Sequence, residues 1–212
     1  MAEHPLAAEL AQVVTDWIDG APRSLQTRIG PSEVGIECQR RVGHILAGTP
    51  KQQTQPVSWP AFVGTALHRE MEGIFTIDDA KRWQHSRWHV EQKVTVLPIN
   101  GTEVSGSCDL YDAHTRTVVD WKFPSKARVA GYRRAGDPGR QYRVQAHGYG
   151  IGWHRAGFEV DTVGIFFWAR DGQVGDRYFW SEPFDPDIAA QAWEQAHGTA
   201  QLLDALTPAV AL

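Results

Sequence analysis

Two aspartates and a lysine flank a predicted turn near the middle of the chain. Asp109 precedes the hydrophilic stretch 112–116, and Asp120 and Lys122 follow it. If this stretch is a symmetric turn between two strands, positions whose numbers sum to 229 (109 plus 120) face each other, so Asp109 should lie opposite Asp120. Facing carboxylates require a protonated partner, outward splaying into water or a cation, and a divalent metal is the simplest solution. The pattern indicates metal-dependent cleavage of phosphodiesters, with an ordinary surface hairpin carrying Asp-x-Lys as the alternative.

The alternation of the second strand places the charged groups together. By the two-residue period, Asp120 and Lys122 share one face, whereas Val119, Trp121 and Phe123 form the opposite, apolar face. Mg²⁺ prefers carboxylate, carbonyl and water oxygens in octahedral geometry. Two aspartates and a backbone carbonyl therefore suit this ion better than a thiolate site would.

Two predicted helices bring further polar groups to the hairpin. The stretch 59–75 has helical apolar spacing, with His68 at the edge of the stripe, where it either reaches the metal or is an ordinary boundary residue. The second helix, 137–153, begins with an Asp-Pro pair, an N-cap followed by proline. Gln145 and Tyr149 lie four residues apart on one face of it. The apolar stripe of the first helix consists of Phe62, Val63, Ala66, Leu67, Met71 and Ile74.

The remaining pattern predicts more strands and a final helix. An alternating strand runs from Trp88 to Leu97, and the strands Thr162 to Ala169 and Arg177 to Phe184 form a hairpin around Asp171-Gly172. Asp185-Pro186 caps the last helix. The apolar residues of this helix are Ile188, Trp193, Ala196, Leu203 and Leu206. The predicted fold class is α/β (α+β), a central mixed β-sheet flanked by helices.

Four short motifs, taken in order, resemble the PD-(D/E)XK nuclease superfamily and, within it, the branch of the RecB nuclease domain, Cas4 and phage exonucleases. Residues 64–68 resemble the family's helix with a metal-binding histidine, and residues 106–109 resemble its Gly-x-x-Asp strand. Residues 120–122 are similar to the Asp-x-Lys strand, and residues 145–149 to the Gln-x-x-x-Tyr helix of this branch. The resemblance covers roughly residues 30 to 170 and implies a restriction-endonuclease-like core.

The resemblance also implies a role for each matched residue. Lys122 would position the attacking water or neutralise charge on the phosphate, and Gln145 and Tyr149 would help hold the DNA strand. Glu91 matches a glutamate often found ahead of the Asp strand, although a solvent-facing strand residue explains it equally well. Mg²⁺ or Mn²⁺ is the expected cofactor, as one ion or two. The implied catalytic residues are Asp109, Asp120, Lys122, Gln145 and Tyr149, and the implied metal ligands are His68, Asp109, Asp120 and the carbonyl of Trp121.

A basic segment follows the Asp-x-Lys strand. Between Lys122 and Arg143 the chain has seven basic residues and one acid, within a protein of net charge −4. This concentration favours contact with DNA phosphates, with a solvent-exposed loop as the alternative. The glycines at 131, 136 and 139 predict that the loop is mobile and orders on substrate. The predicted DNA-binding residues here are Lys126, Arg128, Arg133, Arg134, Arg140 and Arg143.

The segment 30–41 resembles the helix start seen ahead of the histidine in Cas4-like proteins. Ser32 is a natural N-cap, and Arg40 or Arg41 is placed to contact a DNA end. Cas4 proteins generally hold an iron–sulfur cluster on four cysteines, whereas this chain has only Cys38 and Cys108. We therefore expect no iron–sulfur cluster, and we expect Cys108 to be a buried apolar residue.

Length and composition favour one soluble catalytic domain. The 212 residues are 42% hydrophobic, enough for a substantial core, and no run approaches the length of a membrane span. The N-terminus lacks the basic start of a secretion signal, and two cysteines favour a reducing cytoplasm. We expect one nuclease domain over 1–212, with an N-terminal helical region (1–58), a catalytic core (59–184), a C-terminal helix (185–212) and an internal linker from Pro50 to Pro60.

The leading functional hypothesis is a Mg²⁺- or Mn²⁺-dependent DNA exonuclease in recombination, repair or phage DNA processing. A structure-specific or flap endonuclease on the same site and a non-catalytic DNA-binding module are the alternatives. The expected partner is duplex or single-stranded DNA, and a recombination partner protein follows by analogy alone.

Overall fold

Five strands form one mixed sheet in the order β1-β2-β3-β4-β5. The computed structural model describes residues 5–19, 28–50 and 59–206. Strand β3 pairs with β4 in parallel, and the other neighbours pair antiparallel. The mixed sheet of the sequence prediction is therefore confirmed. The strands are β1 (Trp88–Ile99), β2 (Thr102–Asp112), β3 (Thr117–Lys122), β4 (Thr162–Trp168) and β5 (Arg177–Pro183).

Helices flank this sheet. They are α1 (Pro5–Asp19), α2 (Pro31–Val34), α3 (Gln39–Leu46), α4 (Trp59–Asp78), α5 (Lys126–Ala135), α6 (Arg140–Arg155) and α7 (Pro186–Leu206), and a π-helical turn (Asp79–Trp83) continues α4. None of these helices is both long and apolar enough to cross a membrane. Most of the expected linker from Pro50 to Pro60 lies outside the described residues.

The β2–β3 hairpin has the predicted register. Leu110 pairs with Val119, Tyr111 with Val118 and Asp112 with Thr117, so each pair of numbers sums to 229. The Asp112 carboxylate fixes the turn, because it accepts hydrogen bonds from the His114 N–H (3.0 Å) and the Thr115 hydroxyl (2.8 Å). Counted outward from the turn, the last register pair is Leu110 with Val119, so the pairing ends one residue short of Asp109 and Asp120.

Three apolar clusters are present in the part of the chain that the structure describes. One joins β1 to α6 and α7 through Val96, Val144 and Trp193, and the other two lie on opposite faces of the sheet. The α6 side core includes Val94, Cys108, Tyr111, Val118, Ile165 and Phe167, packed with Ala146, Tyr149 and Trp153 of α6. The α4 side core consists of Leu110, Val119 and Trp121, with Met71 and Phe75 of α4 packed against it. Cys108 is fully buried, as expected. The two-residue alternation predicted for β3 is thus confirmed, since Val119 and Trp121 face α4.

The alternation of β1 and β2 reverses at Glu91 and Asp109. Cys108 and Leu110 are two residues apart, yet they belong to different cores. On β1, Val90 and Val94 are four positions apart, so a regular strand would place them on one face. They nevertheless belong to different cores. Glu91 has φ 49°, a left-handed conformation that is uncommon for a non-glycine residue within a strand. The strands therefore change face where their carboxylates are located.

The prediction of a mobile loop between Lys122 and Arg143 is wrong, because residues Lys126–Ala135 form helix α5. Val129 is buried, and the Tyr132 ring stacks on Phe167 with 4.3 Å between centroids, so the segment has an apolar side to pack. Gly136, with φ 64°, ends the helix in the left-handed conformation that glycine adopts readily. The glycine there marks a helix end, not a flexible stretch.

Two predicted helix starts are also wrong. Helix α6 begins at Arg140, because the Asp137 carboxylate accepts the Gly139 N–H (2.9 Å) in a turn that precedes the helix. Helix α2 is capped by Gly30, not Ser32, with the Glu33 carboxylate accepting the Gly30 N–H (2.8 Å) and proline in the first helical position.

Two predicted core residues are exposed. Ile74 is 49% exposed, and the neighbouring Phe75 takes the inward place by stacking on Trp121. Leu206, the last residue of α7, is 78% exposed. The final helix otherwise packs as expected, with Trp193 and Ala196 buried, and the Asp185 carboxylate accepts the Asp187 N–H (3.0 Å) at its start.

Candidate active site

Asp109 joins the central strands to helix α4. Its Oδ2 accepts the backbone N–H of Trp121 at 2.6 Å, and its Oδ1 lies 3.3 Å from Nδ1 of His68. The first contact binds β2 to β3 at the position where the register pairs have ended. The second fixes the histidine, whose ring edge also packs against Phe123. The structure therefore brings the predicted pair His68 and Asp109 together.

Glu91 completes a three-residue cluster with His68 and Asp109. One ligand atom from each residue lies within 4.8 Å of the others. Burial, and after it the charge of Asp109, raises the pKa of the Glu91 carboxyl to about 7. The left-handed backbone turns Glu91 toward this cluster, against the simple alternation of its strand. The solvent-facing alternative for Glu91 does not describe this arrangement.

Asp120 and Lys122 form an ion pair on the face of β3 that meets α6. Lys122 Nζ contacts Asp120 Oδ2, and the Gln145 amide donates to Asp120 Oδ1 at 2.8 Å. Burial raises the pKa of Asp120 to about 6, because Lys122 offsets only part of the cost and Asp109 adds repulsion. Burial lowers the pKa of Lys122, but Asp120 and Asp109 outweigh it and hold that pKa above its ordinary value.

Tyr149 lies one turn beyond Gln145, on the same face of α6. A β-carbon added to Gly106 would lie 3.0 Å from the Tyr149 hydroxyl oxygen and 2.9 Å from Pro31 Cδ. The glycine of the Gly-x-x-Asp motif therefore leaves room for a close approach of α6 and α2 to β2. Burial raises the pKa of Tyr149, so its hydroxyl acts as a neutral hydrogen-bonding group.

The donor set fits a hard divalent cation. His68, Glu91 and Asp109 offer one imidazole nitrogen and two carboxylates. Burial first, and then the nearby charge of Asp109, raises the pKa of Glu91, and a bound cation would offset both effects. Asp120 stands on the neighbouring strand, paired with Lys122. For Trp121, the contact with this site is made by its N–H, while its indole lies in the α4 side core.

Most of the predicted DNA-binding side chains of the basic segment are engaged within the protein. The contacts are Lys126 with Asp176 (3.0 Å), Arg128 with the Tyr132 hydroxyl (3.2 Å), Arg133 with the Arg177 carbonyl (2.5 Å), Arg140 with Gly35 and Gln195 (2.8 Å each), and Arg143 with both Glu182 oxygens (2.5 and 2.8 Å). Arg134 on α5, and Arg40 and Arg41 on α3, have exposed side chains.

Sequence reasoning missed Tyr142. Its ring centroid lies 5.0 Å from the Lys122 ammonium, within the range of a cation–π contact. A signal was present in the chain, because Tyr142, Gln145 and Tyr149 are spaced by three and four residues and so share one face of α6. Glu91 had a signal as well, but the alternation of β1 placed it on the wrong face.

Comparisons with known proteins place the fold among exonuclease structures. The alkaline exonuclease LHK-Exo from Laribacter hongkongensis, whose complex with dAMP has also been solved, superposes with a TM-score of 0.60 at 13% identity, covering 85% of this chain and 89% of that one. A phage-related exonuclease from Haemophilus somnus 129PT superposes with a TM-score of 0.52 at 11% identity, covering 85% of this chain and 96% of that one.

Comparison of sequences provides less information about relatives of this chain than superposition of structures does. No protein-family model matches the chain. Transketolase 2 of Escherichia coli (strain K12) is 29% identical over 144 residues, which cover 63% of this chain and 20% of that enzyme. The chain thus spans about one fifth of the length of the curated relative it matches. On the evidence of the superpositions, the chain has the fold of these exonuclease structures.

Proposed function

We propose that this protein is a Mg²⁺- or Mn²⁺-dependent deoxyribonuclease that degrades DNA from an end. The observation that carries the proposal is the cluster of His68, Glu91 and Asp109 close to the Asp120–Lys122 ion pair, in a fold shared with exonuclease structures. A resemblance to one fifth of a transketolase does not account for this cluster. Two of the neighbours are named exonucleases, and one of these was solved with dAMP, a deoxynucleotide; a nucleic-acid substrate suits a site that combines carboxylates with a lysine.

The residues of this site have distinct proposed roles. His68, Glu91 and Asp109 would hold the cation, with Asp120 as a further ligand when Lys122 releases it. The bound cation would supply Lewis-acid polarisation of the phosphodiester. Compared with the expected ligand set, this site adds Glu91 and leaves out the carbonyl of Trp121.

Hydrolysis of a phosphodiester joins a water oxygen to phosphorus and breaks one phosphorus–oxygen bond to the sugar. The water loses a proton, and the leaving sugar oxygen gains one. Lys122 lies where its positive charge can stabilise the negative charge that builds on the phosphate oxygens. Gln145 holds Asp120 in place, so the carboxylate keeps its orientation during this step.

Digestion of end-labelled linear duplex DNA tests the proposal. Wild-type protein and Lys122→Met are compared with Mg²⁺, with Mn²⁺ and with chelator, after circular dichroism has verified that both are folded. We expect metal-dependent loss of DNA in the wild type only. Absence of degradation by folded wild-type protein in either metal, on duplex and on single-stranded DNA, would reject the proposal.

Covalently closed circular DNA distinguishes exonuclease action from endonuclease action. An exonuclease needs an end, so it leaves closed circles intact while it degrades the same DNA after linearisation. Cutting of closed circles would instead support the flap or structure-specific endonuclease. A recombination partner protein stays a prediction from family analogy, as does a role in repair or phage DNA processing.

A further inference from the structure

The Lys122 ammonium has two neighbours of different kinds. On one side it contacts the Asp120 carboxylate, and on the other it lies 5.0 Å from the ring centroid of Tyr142. The lysine is largely enclosed, with 18% of its side chain exposed. Both neighbours attract a positive charge, but only the carboxylate can also bind a metal ion.

The Tyr142 ring is held firmly in this place. It packs near Phe167 on β4 and Tyr132 on α5, with centroid distances of 6.1 and 6.3 Å, and Tyr132 itself stacks on Phe167. The aromatic cluster belongs to the α6 side core and spans three elements of the fold. A ring fixed by such contacts offers a constant position to the ammonium, unlike a flexible surface side chain.

The two carboxylate oxygens of Asp120 have three candidate partners: Lys122, Gln145 and the proposed cation. If Asp120 serves as a metal ligand, its oxygens are shared between the cation and Gln145, and the ion pair with Lys122 weakens. An ammonium that lost this partner in an enclosed site would need another favourable contact to remain near the phosphate. The face of an aromatic ring supplies one without using any carboxylate oxygen.

We propose that Tyr142 is a positioning residue that seats the Lys122 ammonium on its ring face and keeps it at the reacting phosphate. This inference rests on the proposed function, since it assigns a task within the same site. It gives α6 a third contributor on the face that also carries Gln145 and Tyr149.

Substitutions at Tyr142 test the ring and the hydroxyl separately. Tyr142→Phe keeps the ring face, Tyr142→Leu removes it, and Tyr142→Met is a second ring-free variant that fills the space with a flexible side chain. Tyr178→Leu is the matched control, because the Tyr178 ring has the same centroid distance to Phe167 as the Tyr142 ring (6.1 Å) but lies on β5, two strands from Lys122. Circular dichroism and thermal denaturation establish that each variant is folded.

The kinetic readout is the division between kcat and KM on linear DNA. We expect kcat to fall on the order of tenfold in the ring-free variants with KM nearly unchanged, and to stay within about twofold of wild type in Tyr142→Phe and Tyr178→Leu. An equal loss in Tyr142→Phe would show that the hydroxyl matters and would overturn the ring-face seat. Wild-type kcat in a folded ring-free variant would overturn it too.

A second readout does not depend on DNA cleavage. Mass spectrometry follows the rate at which Lys122 is modified by reductive methylation, with chelator present. Removal of the ring face should raise this rate in Tyr142→Leu and Tyr142→Met but not in Tyr178→Leu. If the wild type cleaves no DNA, the proposed function fails while this readout still decides whether Tyr142 seats the lysine; unchanged rates in all variants would reject the seat.

Discussion

Gln145 on α6 donates a hydrogen bond to the buried carboxylate of Asp120 on β3, with 2.8 Å between Gln145 Nε2 and Asp120 Oδ1. Asp120 is 2% exposed, so no water replaces this donor easily. The contact joins the Gln-x-x-x-Tyr helix to the Asp-x-Lys strand, although 25 residues separate the two in sequence.

Replacing Gln145 should therefore affect both stability and cleavage. In Gln145→Ala a buried carboxylate oxygen loses its donor, which we expect to lower the free energy of unfolding by about 1–3 kcal/mol and to slow DNA degradation. Urea denaturation and the digestion assay measure the two effects. The control is Gln141→Ala on the same helix, whose exposed amide donates to the Ser32 carbonyl. Equal effects of both substitutions on cleavage would contradict the assigned role.

The Glu91 carboxyl should make the metal-free protein less stable as the pH rises. Its pKa is raised from 4.5 to about 7 in the folded state. Between these values the folded protein keeps a proton that the unfolded chain has released, so the free energy of unfolding falls with rising pH across this window. Glu91→Gln should flatten that slope, measured by urea denaturation in chelator. Glu70→Gln, an exposed substitution on α4, should leave the slope as in wild type; a slope retained in Glu91→Gln would refute the prediction.

Gly106 should not tolerate a side chain. The β-carbon of Gly106→Ala would meet Pro31 Cδ at 2.9 Å and the Tyr149 hydroxyl at 3.0 Å, so we expect overpacking, which costs about 1–3 kcal/mol. Thermal denaturation compares this variant with Gly73→Ala. Gly73 lies within α4 and has no atom within 4 Å of an added β-carbon, so alanine should stabilise that helix. A neutral Gly106→Ala would mean that α2 and α6 can move away from β2.

The buried His147 should contribute to loss of stability in acid. Its Nδ1 accepts the Asp185 N–H (3.1 Å), its Nε2 lies 2.6 Å from Glu182, and it is fully buried. Burial lowers the pKa of His147 below its ordinary value of 6.5. The unfolded chain then binds a proton that the folded state resists, so stability falls as the pH drops below that ordinary value.

His147→Gln should remove part of this acid sensitivity, and thermal denaturation between pH 7 and pH 5 measures it. The control His154→Gln changes an exposed histidine on the same helix. If His147→Gln shows the acid dependence of wild type, another group is responsible, and the assignment to His147 is wrong.

Much of the candidate active site could be predicted because it depends on local rules. The hairpin register follows from turn symmetry, and the sharing of a face by Asp120 and Lys122 follows from strand alternation. Glu91 could not be placed by the same rule, because its left-handed backbone breaks the alternation. Nothing in a two-residue period signals such a break.

The prediction of a mobile loop in the basic segment is wrong for a different reason. Its glycines favour a loop, but Val129 and Tyr132 gain enough from packing to form α5. The contacts that its arginine side chains make depend on residues distant in sequence, such as Glu182, which lies 39 positions from Arg143. Contacts of this range follow from the assembled sheet and not from composition.

The reversal of faces at Glu91 and Asp109 makes the candidate site sensitive to movement between the two layers that flank the sheet. His68 comes from the α4 layer and Gln145 from the α6 layer, and the acidic residues lie on the seam between the two cores. A small slip of one layer past the other would separate these groups while leaving every helix and strand intact. Gentle heating should then abolish the proposed DNA cleavage before the secondary structure unfolds.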